Sequence, residues 1–435
     1  MTALRLPLPD DEVIRGACTV IRVLRGAGHE AYVVGGAVRD LARGIVPHEY
    51  DVATSARPEA VIALFRSTVP VGVRFGVVRV RIRRREYEVA TLRAEACYSD
   101  GRRPDSVRFT DLREDVARRD FTMNGLAMDP FTGEVTDFVG GIADIEAGVI
   151  RAIGDPIARF GEDRLRPLRA VRFAAQTGFA IEGATYLAIR EVAPEVARVS
   201  AERVRDELAK VLASARPGLG LGLLDDTGLL AGVLPEVAQA GGVSRAIACL
   251  DRVAGAIACP DCVAGATACP DRVAGEGEVA AWAALLSAAG AAAADRAMGR
   301  LRHPNRTRRA VVEALRTADA IRGLPLADVA AEKRVLRSDG AAPGLSVLDA
   351  WLAAGDEDRA PVRHARARLA EWTRDDLFPA RLGTGDDAIG AGVPRGPAVA
   401  SALAALEDEQ LRGRIRTREE AVAFLARRAR DPGLA

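Results

Sequence analysis

The stretch Val33-Val34-Gly35-Gly36-Ala37-Val38-Arg39-Asp40, with Glu49-Tyr50-Asp51-Val52-Ala53-Thr54 shortly after it, decides the fold. Apolar Ala31–Val34 predicts a strand that runs into paired glycines, and residues 37–44 predict a short helix. Glycines let backbone N–H groups approach phosphate oxygens closely, and a helix N-terminus favours the anion. Arg39 would add a charge-assisted contact. A simple tight turn accounts for the same two glycines equally well. Residues 50–53 predict a second strand. Glu49 and Asp51 stand at i and i+2, so their carboxylates share one face. Such a pair suits divalent ions that bridge protein to a triphosphate; a solvated acidic strand end has the same pattern. Glu88, in Glu88-Val89-Ala90-Thr91, offers a third carboxylate on a neighbouring strand.

Working outward, residues 12–28 carry helical periodicity (Val13, Ile14, Cys18, Ile21, Leu24) that ends in Gly26 and Gly28. In residues 77–91, Val78, Val80 and Ile82 alternate with Arg79, Arg81 and Arg83, the period of a half-buried strand. Residues 94–118 predict a long polar loop. Leu126–Met128 and Glu134–Phe138 flank Asp129-Pro130-Phe131-Thr132-Gly133 as a hairpin. From about residue 156 helical patterns take over. The expectation is an α+β chain: a head of strands and helices over roughly 150 residues, then a mostly helical remainder.

Further motifs sharpen this. Arg118-Arg119-Asp120-Phe121-Thr122-Met123-Asn124-Gly125-Leu126-Ala127 precedes Gly140-Gly141. Later come Arg159-Phe160-Gly161-Glu162-Asp163-Arg164-Leu165-Arg166-Pro167-Leu168-Arg169-Ala170-Val171-Arg172 and Ser200-Ala201-Glu202-Arg203-Val204-Arg205-Asp206-Glu207-Leu208. In this order the set resembles the bacterial class II tRNA nucleotidyltransferase (CCA-adding enzyme) and poly(A) polymerase family, densely over residues 31–237 and again in Thr384–Asp387 and Thr417–Ala421. The resemblance implies a polymerase-β-like nucleotidyltransferase head with a mixed sheet over 1–150 and an all-α remainder: a helical neck with a nucleotide-selecting helix (151–240), a repeat-bearing insertion or linker (241–277), an RNA-binding helical body (278–375) and a helical tail (376–435). It implies Gly35, Gly36 and Arg39 at a triphosphate, Glu49 and Asp51 on catalytic Mg²⁺, Glu88 as third acid, and Arg119 at the nucleotide. It implies that Asp163 and Arg166, with Arg169 and Arg172 beyond, read the base edge of CTP and ATP. An aspartate accepts from the amino group that cytosine and adenine share, and an arginine donates to ring or carbonyl acceptors. Residues 163, 166, 169 and 172 step by three, as on one helical face. The implied reaction adds CCA to a tRNA 3′ end. Poly(A) synthesis, addition of A alone and a non-catalytic RNA-binding relative are the alternatives; the loop Arg93–Val107 argues against CC-only addition.

Two positions depart from the family pattern. Glu49 stands where aspartate is usual. Pro167 falls where a helix through Asp163 would kink or start late. None of His29, His48, His303 and His364 is followed by aspartate, so no histidine–aspartate hydrolase centre can be read.

Residues 248–277 are a tandem decapeptide repeat broken by Gly and Pro. The repeat explains most of the cysteines around Cys259-Pro260-Asp261-Cys262 without zinc. The apolar run Val279–Ala294 is too short and alanine-rich for a membrane span, which needs about 20 residues, and predicts a buried helix. The chain's start carries no apolar secretory segment, so a cytoplasmic protein without disulfides is expected. No membrane and no protein partner are implied. The balance of 61 basic and 60 acidic residues argues against a broad basic surface. Every basic residue except Lys210 and Lys333 is arginine. Arginines still cluster locally at Arg302, Arg306, Arg308 and Arg309, a candidate contact for RNA phosphates or an ordinary solvated helix face.

Overall fold

A computed structural model describes residues 4–72, 76–96, 106–257 and 276–431. These form two compact units, one built on Met1–Val243 with Arg300–Arg302, the other on Ser244–Val253, Ala274–Gly299 and His303–Ala435.

The first unit opens with α1 (Glu12–Gly26). Asp11 caps it, accepting from the backbone N–H of Val13 (2.7 Å) and Ile14 (2.9 Å), and Gly28 leaves it at φ +85°. Its apolar stripe, Ile14, Ala17, Val20, Ile21 and Leu24, is fully withdrawn from water, worth about 1.5–3 kcal/mol for each large side chain. The sheet follows: β1 (Ala31–Val34), β2 (Asp51–Thr54), β3 (Thr68–Gly72), β4 (Val77–Ile82) and β5 (Arg85–Thr91). β6 (Arg93–Ala96) and β7 (Ser106–Phe109) make a separate antiparallel pair. β8 (Leu126–Met128) and β9 (Val135–Asp137) complete a seven-stranded order β3-β4-β5-β2-β1-β8-β9. Only β2 and β5 run parallel within it, so the sheet is mixed, as expected. The alternating run 77–91 is a hairpin, turned at Arg83 with φ +55°.

Between the strands lie α2 (Gly36–Ala42), α3 (Pro58–Leu64), α4 (Leu112–Ala117) and α5 (Gly141–Ala147). The stretch 94–118 is therefore not one long loop: β6, β7 and α4 occupy much of it, and residues 97–105 lie outside the described residues. The neck continues with α6 (Pro156–Glu162), α7 (Arg166–Thr177), α8 (Gly183–Val192) and α9 (Ala201–Leu212).

Pro167 sits in the first turn of α7, whose N-cap is Leu165. The N–H that proline lacks is one a first turn leaves unpaired anyway. The helix thus starts late rather than kinking, and Asp163 is extended chain ahead of it (φ −141°). Asp163 therefore does not share a helical face with Arg166, Arg169 and Arg172, as a step of three had suggested. Pro167→Ala is expected to cost only about 1 kcal/mol through the freer unfolded chain and to leave nucleotide preference unchanged; urea unfolding and single-nucleotide incorporation check this.

In the second unit the apolar run 279–294 is two helices, Gly277–Leu286 and Gly290–Arg300, bent by 112°. Trp282, Ala283, Leu285, Leu286 and Ala294 are buried within it, so the run is core, and no single helix among the described residues is long and apolar enough to cross a membrane. The first repeat copy is no linker. It lies in the helix Val243–Ile257 with Cys249, Leu250 and Val253 buried. The later copies, with Cys259, Cys262 and Cys269, lie outside the described residues. His303 packs edge-on against Trp282 at 4.5 Å between centroids. The tail builds a small core of its own from Ala388, Val393, Ala402, Leu406, Ile415, Ala421 and Leu425.

Candidate active site

The sheet arranges the acids by alternation. Tyr50 and Tyr87 are buried. Tyr87 docks on α1, where its hydroxyl donates to the Val13 carbonyl (3.0 Å). It fits because Gly16 has no side chain: a Cβ there would lie 1.9 Å from the Tyr87 oxygen. Their neighbours Glu49, Asp51 and Glu88 are exposed; in β5 this is the period-2 alternation of a strand, while Glu49 and Tyr50 lie in the chain just before β2. Val52 pairs with Val89 in the parallel ladder, so Asp51 and Glu88, each one residue earlier, stand side by side on adjacent strands.

Asp51 keeps an exposed edge yet is hemmed in by protein. That desolvation, then the charges of Glu88 and Glu49, push its carboxyl up to about 7 against the pull of Arg119. Among the described residues, no three His, Cys, Asp or Glu side chains are grouped closely enough to hold an ion alone. The donor set nevertheless fits a hard divalent cation. Such ions commonly take one or two carboxylates and complete their shell from phosphate and water, and a cation would relieve the crowded negative charge at Asp51.

Above this floor, β1 ends at Val34 and Gly35 turns the chain with φ +72° and ψ −132°, a conformation natural only to glycine. The Gly35 N–H is spent on the Leu126 carbonyl (3.1 Å), and α2 starts at Gly36. A Cβ on Gly35 would come within 3.1 Å of Nη1 of Arg119. Arg119 therefore lies over the glycine turn and close enough to Asp51 to act on its charge. Buried Asp115 aims it, accepting from Arg119 Nη2 (3.1 Å) and from Arg118 Nη2 (2.6 Å) and Nε (3.0 Å). Burial alone would raise the Asp115 carboxyl, but Arg118 and Arg119 hold it below the usual carboxylate range.

Arg39 points elsewhere. It is buried, donates Nη1 to Asn124 (2.9 Å) and Nε to Asp40 (2.9 Å), and lies over the Phe173 ring at 5.2 Å. Asn124 donates to Asp120 (3.1 Å), and Asp120 accepts from Arg169 Nε (2.8 Å). A continuous polar chain thus joins the helix of the glycine turn to α7. Arg166 is also buried and donates to the carbonyls of Arg159 (2.8 Å) and Arg118 (3.0 Å) and to Glu162. Arg172 pairs with Glu207 (3.0 Å); burial and neighbouring Arg169 push it down to about 10. Arg166 and Arg169 therefore knit the neck to the head and Arg172 ties α7 to α9, while Asp163, half-buried, is gripped by Arg203 (3.0 and 2.7 Å).

Asp115, Asp120, Asn124 and Arg203 were not among the residues singled out from sequence. All but Asp115 fall inside the quoted motifs, and Asp115 stands four before Arg119, the spacing of a helical ion pair.

In the arginine-rich stretch, Arg302 is paired with Glu202 (2.5 Å) and Arg308 with Asp295 (2.6 and 2.7 Å). Arg306 and Arg309 are exposed on the helix Asn305–Arg322.

Residues 31–151 match the poly A polymerase head domain, and residues 178–240 match a probable RNA- and SrmB-binding site of polymerase A. The CCA-adding enzyme of Leuconostoc mesenteroides is 47% identical over 205 residues, 47% of this chain and 51% of that protein. That of Geobacillus kaustophilus is 48% identical over 216 residues, 49% and 53% of the two chains. The aligned part spans about half the length of these curated relatives. The crystal structure of the Bacillus stearothermophilus CCA-adding enzyme in complex with CTP superposes with TM-score 0.76 at 30% identity, over 97% of this chain and 99% of that one. The chain belongs to the CCA-adding enzyme and poly(A) polymerase family. A Thermotoga maritima CCA-adding enzyme complexed with tRNA shares the fold of this family member at TM-score 0.66 and 18% identity, over 98% and 99% of the two chains.

Proposed function

We propose that this chain is a template-independent RNA nucleotidyltransferase that adds C and A, from CTP and ATP, to the 3′ end of tRNA. The reading rests chiefly on one juxtaposition: Asp51 and Glu88 side by side beneath the Gly35 turn and Arg119. The relatives named CCA-adding enzymes support it, as does the likeness to the CTP complex. The chemistry is in-line attack of the RNA 3′-hydroxyl on the α-phosphorus: a new P–O bond forms as the bond to the departing pyrophosphate breaks. No covalent enzyme intermediate is needed.

Each residue has a task in this reading. Gly35 and Gly36 bring the start of α2 against the triphosphate, where a helix terminus favours anions. Arg119, aimed by Asp115, neutralises phosphate charge. Glu88 orients the hydroxyl beside Asp51. Glu49 and Asp51 would hold divalent metal, which we read as Mg²⁺; when bound, it would lower the pKa of the attacking hydroxyl and offset leaving-group charge. Arg39, facing Asn124, orders the turn from behind. Asp163 and Arg166 set the choice of base, and Arg306 and Arg309 are the exposed candidates for RNA phosphate. The expected compartment is the cytoplasm.

The test uses the full chain with Mg²⁺, each labelled nucleotide singly and together, and tRNA ending before CCA, after C or after CC, or an oligo(A) primer. Two C and one A on the first substrate is the expected result. Long A tails on the primer would make the protein a poly(A) polymerase, addition to only one tRNA end a partial enzyme, and no incorporation anywhere a non-catalytic RNA-binding relative.

A further inference from the structure

Asp163 has its acceptor positions nearly filled. Oδ1 accepts from the Leu165 backbone N–H (3.0 Å) and from Arg203 Nη1 (3.0 Å); Oδ2 accepts from Arg203 Nη2 (2.7 Å). A carboxylate oxygen offers about two acceptor sites, so Oδ1 is saturated and Oδ2 keeps one. The fork of an arginine holds both oxygens in one plane, which a lysine's point charge does not. Arg203 lies in the first turn of α9, and Glu207, one turn along, grips Arg172 of α7. α9 therefore holds the extended chain ahead of α7 at Asp163 and α7 itself at Arg172, with the charges exchanged.

We propose that Arg203 is a specificity-determining positioning residue. Its fork presents a single open acceptor on Asp163 Oδ2, which accepts one N–H of the exocyclic amino group on the pairing edge of cytosine or adenine and meets the carbonyl of uracil or guanine with repulsion. This rests on the reading of Asp163 as the base-contacting acid. Arg203 touches no reacting atom, so its loss blurs choice rather than chemistry.

The test is single-nucleotide incorporation by the full-length protein, with CTP against UTP on tRNA ending before CCA and ATP against GTP on tRNA ending after CC. In Arg203→Gln the ratio of kcat/KM for CTP over UTP is expected to fall by about tenfold or more, mostly through a higher KM for CTP with kcat nearly kept. Arg203→Lys, which keeps the charge and loses the fork, is expected to fall almost as far, and it supplies a second folded variant if Arg203→Gln is unstable. A brace that is merely structural would lower thermal stability and kcat for all four nucleotides alike and leave the ratios unmoved; that result overturns the proposal. Full discrimination in Arg203→Lys would also overturn it, since charge alone would then suffice. A wild-type chain that fails to prefer CTP over UTP would instead refute the underlying reading of Asp163.

Discussion

Asp51→Asn is expected to lower nucleotide incorporation by about a thousandfold or more and to leave a folded protein that is more stable than wild type above neutral pH. The loss follows from the position of Asp51 beside Glu88 on adjacent parallel strands. The gain follows from linkage. In the folded chain the Asp51 carboxyl is pushed up to about 7, by desolvation and by Glu88 and Glu49, against about 3.9 in an unfolded chain. Between those values the folded state binds more protons than the unfolded one, so stability falls as pH rises. The penalty is absent below about pH 4, develops towards pH 7 and is complete above it. Thermal unfolding of wild type and variant should therefore coincide near pH 4 and separate by pH 8, with the variant higher. Adding Mg²⁺ at pH 8 should raise the wild-type midpoint and barely move that of Asp51→Asn. Equal midpoints at both pH values would show that Asp51 carries no crowded charge.

Asp120→Asn should be the more damaging change to the fold. Asp120 is buried and meets Arg169 at 2.6 Å. It also accepts from Asn124, which holds Arg39 in turn. Asparagine keeps the shape and drops the charge, leaving the Arg169 guanidinium without its partner between α7 and the head. Breaking a buried pair from one side costs about 3–5 kcal/mol, and the partial exposure of Arg169 puts this case near 3. Burial by itself would raise the Asp120 carboxyl, but Arg169 and Asn124 hold it far below the usual range. Its contribution is therefore fully present above the unfolded-chain value near 3.9 and is lost as pH falls below that. Urea unfolding should show the wild-type advantage at pH 7 and its narrowing below about pH 4. An advantage that persists unchanged in acid would mean that the pair does not carry it.

Much of the site could be read from local pattern. Strand alternation turns Tyr87 inward and Glu88 outward in β5, because neighbouring side chains of a strand take opposite faces; Asp51 opens β2, and Glu49 and Tyr50 precede it. The glycine pair after an apolar strand marks a turn that only glycine adopts. Pro167 starts α7 at Arg166, since proline is tolerated in a first turn and not further in. Other features were out of reach. The polar stretch 94–118 looked like one loop, yet Arg93–Ala96 and Ser106–Phe109 pair with each other, a partnership short strands show only when assembled. The apolar run 279–294 breaks just ahead of Gly290, which takes φ +76°; a lone glycine among alanines is tolerated within a helix and does not by itself announce a bend.

The sequence by itself determined the succession of an α+β head and a helical remainder, because periods of 2 and 3.6 and the φ limits of glycine and proline act over a few residues; the family was legible in the order of its motifs. Only the tertiary structure decided where the arginines point. Arg39 turns inward to Asn124, Arg169 to Asp120 and Arg203 to Asp163, partners 85, 49 and 40 residues away. A long, flexible cation takes the direction of whichever buried acceptor the assembled fold brings within reach, since a buried polar group left unpaired costs more than the rotamer freedom lost in pairing it.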